Sequence, residues 1–198
     1  MTAVFPTAIQ NKLSTGEAIQ TEVLFHIVGR NRTTGAPETL SLWTGEGDRV
    51  FNVGGVNRTY LGGGALIDVP PVTYEAGLAI NYVPVTISAA FAPVRTAFFT
   101  HDMKFGGVEI HVAVFAVETG LFVGLWRAFK GSESESDLPR ASVGGDAVYE
   151  IKCATSARLL TLPSNETISD STMMESNPGD GFRKFATQVA SVRANWRG

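Results

Sequence analysis

Seven glycines crowd the segment from Leu40 to Ile67, LSLWTGEGDRVFNVGGVNRTYLGGGALI, at positions 45, 47, 54, 55, 62, 63 and 64. Glycine reaches positive φ without steric cost and lets two backbones approach closely, which tight hairpins and packed subunit contacts both need. Arg49 to Val53 and Val56 to Leu61 flank Gly54 and Gly55, a two-residue connection that favours a type I′ or II′ turn. No set of nucleophile, base and metal ligands accompanies these glycines, so the segment reads as architecture.

The remaining chain reads as strands with few helices. Residues 6 to 14 suit a short helix opened by Pro6, with Ile9 and Leu13 as its contact line. Thr21 to Gly29 reads as a strand, followed by the turn NRTTGAP and a partner strand at Leu40 to Trp43. In Leu78 to Ser88, Val83, Val85 and Ile87 share one face, and Pro84 places that strand at an edge or starts it after the proline. Ala89 to Thr100 is the central helix, with Pro93 in its first turn and Phe91, Val94, Arg95, Phe98 and Phe99 at helical spacing. Val108 to Val117 and Leu121 to Phe129 form a long hairpin, apolar on nearly both faces.

Lys130 to Gly145 contains SESESD and reads as a solvated loop, with partner binding as its sharper alternative. Val148 to Ala154 alternates, placing Tyr149, Ile151 and Cys153 on one face. After Pro163 the chain has few core anchors until a C-terminal helix capped by Asp180, with Phe182, Phe185, Ala186, Val189 and Val192 as its apolar stripe. The expected architecture is mainly β: a sandwich or barrel of about eight to ten strands with a central and a C-terminal helix. Residues 1 to 162 make the β-rich core, and 163 to 198 an arm that belongs to the same domain or docks on a neighbour.

Composition narrows function by exclusion. The chain has 198 residues, with 16 basic and 19 acidic side chains and no extended basic cluster, so specific nucleic-acid recognition is not expected. The single cysteine, Cys153, excludes an intrachain disulfide and any cysteine-built cluster, and reads as a buried small hydrophobe. No apolar run spans a membrane and no secretory leader is visible, so the chain reads as made in a cytoplasm without membrane insertion. The sequons at Asn31, Asn57 and Asn165 read as turn residues.

Searches for chemistry give bland answers. His26 and His111 lie in apolar strands and read as hydrogen-bonded core histidines, while His101 and Asp102 follow a helix end. A zinc site from His101, Asp102 and His111 lacks metal-motif spacing. No serine elbow occurs, Glu46 and Asp48 sit in one glycine loop, and Gly62 to Gly64 lack the residues of a phosphate cradle. Catalytic, metal and cofactor sites are therefore all expected to be absent. Trp43, Tyr60, Trp126 and Trp196 form a carbohydrate platform only if they share an exposed face. A carbohydrate-binding β-sandwich module is the alternative reading, and a hydrolase ranks third.

Trp43, Thr44, Gly45 and Gly47, then Tyr60, Leu61, Gly62, Gly64, Leu66 and Ile67, resemble the L-W-[ST]-G-x-G and Y-x-G-x-G-x-L-I signature of siphophage tail-tip proteins shared with gene transfer agents. Ser156, Leu160, Pro163, Pro178, Gly179, Asp180, Gly181, Phe182 and Trp196 are similar to the ending of that family. The resemblance implies a tail-tube-like fold and a structural role at the virion tail tip. It implies a ring of six copies, as a distal-tail adaptor, or of three, as a hub. Such a ring joins tail tube, hub and tape-measure proteins and leaves a channel for DNA. Loop character and this resemblance together point to Gly45, Glu46, Gly47, Gly54, Gly55, Glu133, Glu135, Asp137, Phe182, Phe185 and Trp196 as contacts between subunits.

Overall fold

The computed structural model of the chain describes residues 5–73, 80–137, 147–161 and 177–179. The chain divides into two units, Met1–Leu160 and Thr161–Gly198, and all the secondary structure that opens below belongs to or begins in the first. The expected C-terminal helix, with Phe182, Phe185 and Trp196, lies outside the described residues, as do Asn165 and residues 138–145 of the expected loop.

Among the described residues the fold is mainly β, with a sheet curled into a half-barrel and two α-helices. A first helix, α1 (Thr7–Thr15), precedes β1 (Ile19–Asn31) and β2 (Pro37–Trp43). Next come β3 (Arg49–Val53), β4 (Val56–Tyr60), β5 (Leu66–Asp68) and β6 (Tyr82–Ser88). The second helix, α2 (Ala92–Thr100), runs directly into β7 (His101–Asp102), followed by β8 (Gly107–Ala116), β9 (Phe122–Asp137) and β10 (Val148–Thr155). The large antiparallel sheet has the order β2-β1-β8-β9-β10-β6-β5, with β7 also pairing β1, and β3 and β4 form a separate two-stranded ribbon.

Strict alternation assigns the two faces of this sheet. Phe25 and Ile27 of β1, Leu40 and Leu42 of β2, and Val108 and Ile110 of β8 enter one buried cluster. Val83, Val85 and Ile87 of β6, and Tyr149, Ile151 and Cys153 of β10, join the same cluster. Residues from strands near both ends of the sheet meet there, so the cluster fills the inside of the curl. Helix α2 contributes Val94, Ala97 and Phe98, and the Phe98 ring lies 4.7 Å from that of Tyr149. Pro93 occupies the first turn of α2, where a missing N–H breaks no helical hydrogen bond.

The in-between positions point outward. Leu24, Trp43, Ala113 and Phe115 face the opposite side, where Phe51 and Tyr60 of the β3–β4 ribbon cover them. Gly54 and Gly55 both have positive φ, +61° and +88°, the type I′ combination that matches the twist of a two-residue hairpin. On the face away from the ribbon, α1 leans on β9 through Ile9, which a side chain at Gly124 would meet at 3.3 Å.

Four expectations need correction. The segment from Lys130 to Asp137 is the second half of β9, paired to β8 as far as Ser132 and to β10 from Gly131 to Asp137, because backbone ladders hold a strand without an apolar pattern. Glu133 is therefore not on a solvated loop; it is 2% exposed. Leu13 and Phe99 match helical spacing but face solvent, since each nine-residue helix buries one narrow stripe. Asn57 lies within β4, where it accepts a hydrogen bond from the Asn52 side chain. Pro84 does sit in β6 opposite Lys152 of β10, and β5 pairs with that strand only from Thr86 onward, the edge-like setting a proline requires.

Candidate assembly surfaces and the polar layer under the ribbon

The residues that carry the glycine signature fold into one unit. Trp43 donates its indole N–H to the Gly47 carbonyl at 2.7 Å, which bends the loop back over the ring. A Cβ on Gly45 would lie 2.2 Å from the Trp43 ring, and one on Gly62 would lie 2.2 Å from the Gly47 carbonyl oxygen. Neither position tolerates a side chain. Three backbone bonds tie the strip after β4 to the sheet: Trp43 N–H to the Leu61 carbonyl, Leu61 N–H to Ser41, and Gly63 N–H to Gly45. Gly45 and Gly47 thus serve contacts inside the chain, while Glu46 stays exposed beside them.

The hairpin tip at Gly54 and Gly55 is open, with nothing within 4 Å of a Cβ built on either residue. Val50 and Val56 on the ribbon are exposed, as are Val117, Leu121 and Phe122 at the turn between β8 and β9. These two apolar groups adjoin. Phe122 packs at 5.5 Å from Phe51 and 5.8 Å from Phe115, and the Arg49 guanidinium lies 4.9 Å from the Phe115 ring.

The acidic candidates occupy the opposite end of β9. Glu135 pairs with Lys152 at 3.1 Å, and Asp137 lies opposite Glu150 on β10. Glu133 instead turns inward and accepts the Phe105 N–H at 3.0 Å. Phe105 has φ of +59°, unusual for a non-glycine residue, and Gly106 N–H closes the turn onto the Met103 carbonyl. Burial pushes the Glu133 carboxyl up, against the lowering effect of the Phe105 N–H and Ser136. A pocket of about 390 Å³ beside it is lined by Arg32, Phe98, His101, Lys104 and Ser134 among others.

Beneath the ribbon lies a polar layer that sequence reasoning did not assemble. His26 of β1 is paired across strands with Glu109 of β8 on one side and Ser41 of β2 on the other. Its Nδ1 is 2.8 Å from the Ser41 hydroxyl. Arg58, reaching down from β4, donates to Glu109 at 2.6 Å. Two residues along β8, His111 points to the same face, and its Nδ1 has no partner among the described residues. Burial pushes the His26 imidazole down to about 4, helped by the charge of Arg58, and burial lowers that of His111 as well. For Glu109, burial acts upward, but the hydrogen bond and charge of Arg58 outweigh it and leave the carboxyl below its usual range. The available signal was Glu109 and His111 at a two-residue spacing in an apolar strand; which strands flank them was not readable.

Other chemistry does not converge. His101 lies opposite Asn31 and His111 opposite Leu24, seven residues apart along β1, or about 23 Å at the rise of a strand. The described residues contain no group of three or more His, Cys, Asp or Glu able to hold a metal. Trp43 and Tyr60 are buried, and Trp126 is half-buried against Phe5, so these three do not form one exposed platform. Cys153 is buried, with its thiol pushed up to about 12, chiefly by burial. No described helix is long and apolar enough to cross a membrane. A scan against protein-family models and a search of curated proteins found no match.

Proposed function

We propose that this chain is a structural subunit of a siphophage-type tail tip. Copies close into a ring, of six as a distal-tail adaptor or of three as a hub, between the tail tube and the receptor-binding tip. The observation that carries this reading is the convergence of Trp43, Gly45, Gly47, Tyr60 and Gly62 in one packed unit. The residues of the family resemblance depend on one another physically, as expected of a structural signature. A mainly β half-barrel suits such a tail-tube-like role, and the exposed apolar residues Val50, Val56, Leu121 and Phe122 supply material for contacts between copies. Ring closure is a head-to-tail association in which one surface meets a different surface of the next copy.

Native mass spectrometry across a concentration series, followed by negative-stain imaging, tests the proposal. Closed six-copy rings support the adaptor and three-copy rings the hub. A monomer at every concentration that also fails to join tail-tube or hub proteins overturns both. In the ring-forming case, Val117→Asp with Leu121→Asp should lower the ring fraction while leaving the folded monomer intact, as read by circular dichroism.

A further inference from the structure

The ribbon is joined to the half-barrel differently from any other strand pair. It belongs to a sheet of its own, and glycines lie at both of its roots, 45 and 47 before β3 and 62 to 64 after β4. Lifting β3 and β4 as a unit breaks no rung of the large sheet. Leu61, directly after β4, stays tied to β2 by its backbone bonds with Ser41 and Trp43, so the ribbon swings from Tyr60, and what holds β3 and β4 down is the apolar contact of Phe51 and Tyr60 and the polar layer between ribbon and sheet.

The charges in that layer are unbalanced in a specific way. Beneath or beside the ribbon stand His26 of β1, Ser41 of β2, Glu109 and His111 of β8, and Arg127 and Lys130 of β9, with Arg58 and Tyr60 above them on β4. Glu109 is the one carboxylate in this group and is already bonded to Arg58. His26 and His111 are 6% and 5% exposed, so a proton on either is a cation with little water and no free counter-ion.

We propose that the β3–β4 ribbon is an acid-released latch, closed over the half-barrel while His26 and His111 are neutral and lifted when they take up protons, which bares the apolar strip of Leu24, Trp43 and Phe115. In the open form both imidazoles meet water and titrate near 6.5, their ordinary value. In the closed form His26 does so only near 4, and His111 is also lowered. Closure is therefore at full strength above about pH 6.5 and weakens as pH falls toward 4. Each imidazole raises the ratio of open to closed molecules by up to about tenfold per pH unit, and the pair by up to about a hundredfold.

Hydrogen exchange of the full chain, read by mass spectrometry between pH 7.5 and 5 and corrected for intrinsic exchange, tests the latch. Amides of residues 49–60, whose two-stranded ladder is marginal without the sheet beneath it, should lose protection by about 20-fold or more, while those of β6 and β10 keep theirs. Ribbon protection that holds to pH 5, or that falls in step with β6 and β10, overturns the proposal. The double variant His26→Gln, His111→Gln should show a ribbon profile flat with pH. Should that variant fail to fold, imidazole titration by NMR in the unaltered chain decides: both rings titrating below their ordinary value while the ribbon is closed supports the latch, and either titrating at or above it with the ribbon protected overturns it. Glu133→Gln removes another acid-sensitive group, at the far end of β9, and should leave the ribbon profile unchanged.

Discussion

The two faces of the half-barrel solve the same problem with different materials. On the inside, apolar residues from seven strands and one helix pack together, Phe25, Phe98, Phe129 and Tyr149 among them, with the Cys153 thiol in the cluster and the buried Glu133 carboxyl opposite it on β9. On the outside, Leu24, Trp43, Phe51, Tyr60, Ala113 and Phe115 form a smaller aromatic patch that shares its seam with His26, Glu109, His111 and Arg58. The inner core draws on seven strands and a helix, and the carboxyl at its edge, Glu133, is held by the Phe105 N–H of a tight turn. The outer one depends on a single hairpin and on which groups are charged. Burial alone does not define a core; the number of elements that must move together to expose it matters as much.

This contrast can be broken at several points. Phe129→Ala should have the largest effect, about 4 kcal/mol, because it empties a fully buried site at the centre of the inner cluster. The loss should be global, with β6, β8 and β10 losing exchange protection together and the denaturation midpoint falling. Phe51→Ala removes a ring that touches Trp43, Tyr60, Phe115 and Phe122, and should cost about 3 kcal/mol. Here the loss should concentrate in residues 49–60; equal loss in β10 would mean that the two clusters form one cooperative unit. Glu109→Gln leaves Arg58 facing a neutral amide and should cost about 1 to 2 kcal/mol at pH 7, measured by urea denaturation. Since Glu109 is held below its ordinary range, the cost of the substitution is full above about pH 4.5 and disappears as pH falls through its folded value.

Much of the inner face was legible in the sequence, and little of the outer one. Alternation of Val83, Val85 and Ile87, and of Tyr149, Ile151 and Cys153, fixes which residues enter the core. Gly54 and Gly55 announce their turn. Pro93 marks the start of α2. The stretch SESESD alternates just as strictly, but between two polar residue types, so a scale of apolarity sees no period while the ladder to β10 holds the strand. The polar layer was hidden for a different reason. Its members come from β1, β2, β4, β8 and β9, and only the topology of the sheet brings them onto one surface. Gly45 and Gly62 were readable as positions of close approach, but not as the two jaws closing on Trp43 and the Gly47 carbonyl.

Cys153 is the chain's only thiol, and it is sealed inside the half-barrel with its ionisation suppressed. Alkylating reagents attack the thiolate, and at neutral pH this one is both shielded and almost entirely protonated. The native protein is thus a blank background for site-directed labelling. A cysteine introduced at Gly55, Glu46 or Leu121 would be the sole reactive site, ready to carry a fluorophore, a spin label or a short crosslinker without first removing a natural residue from the core.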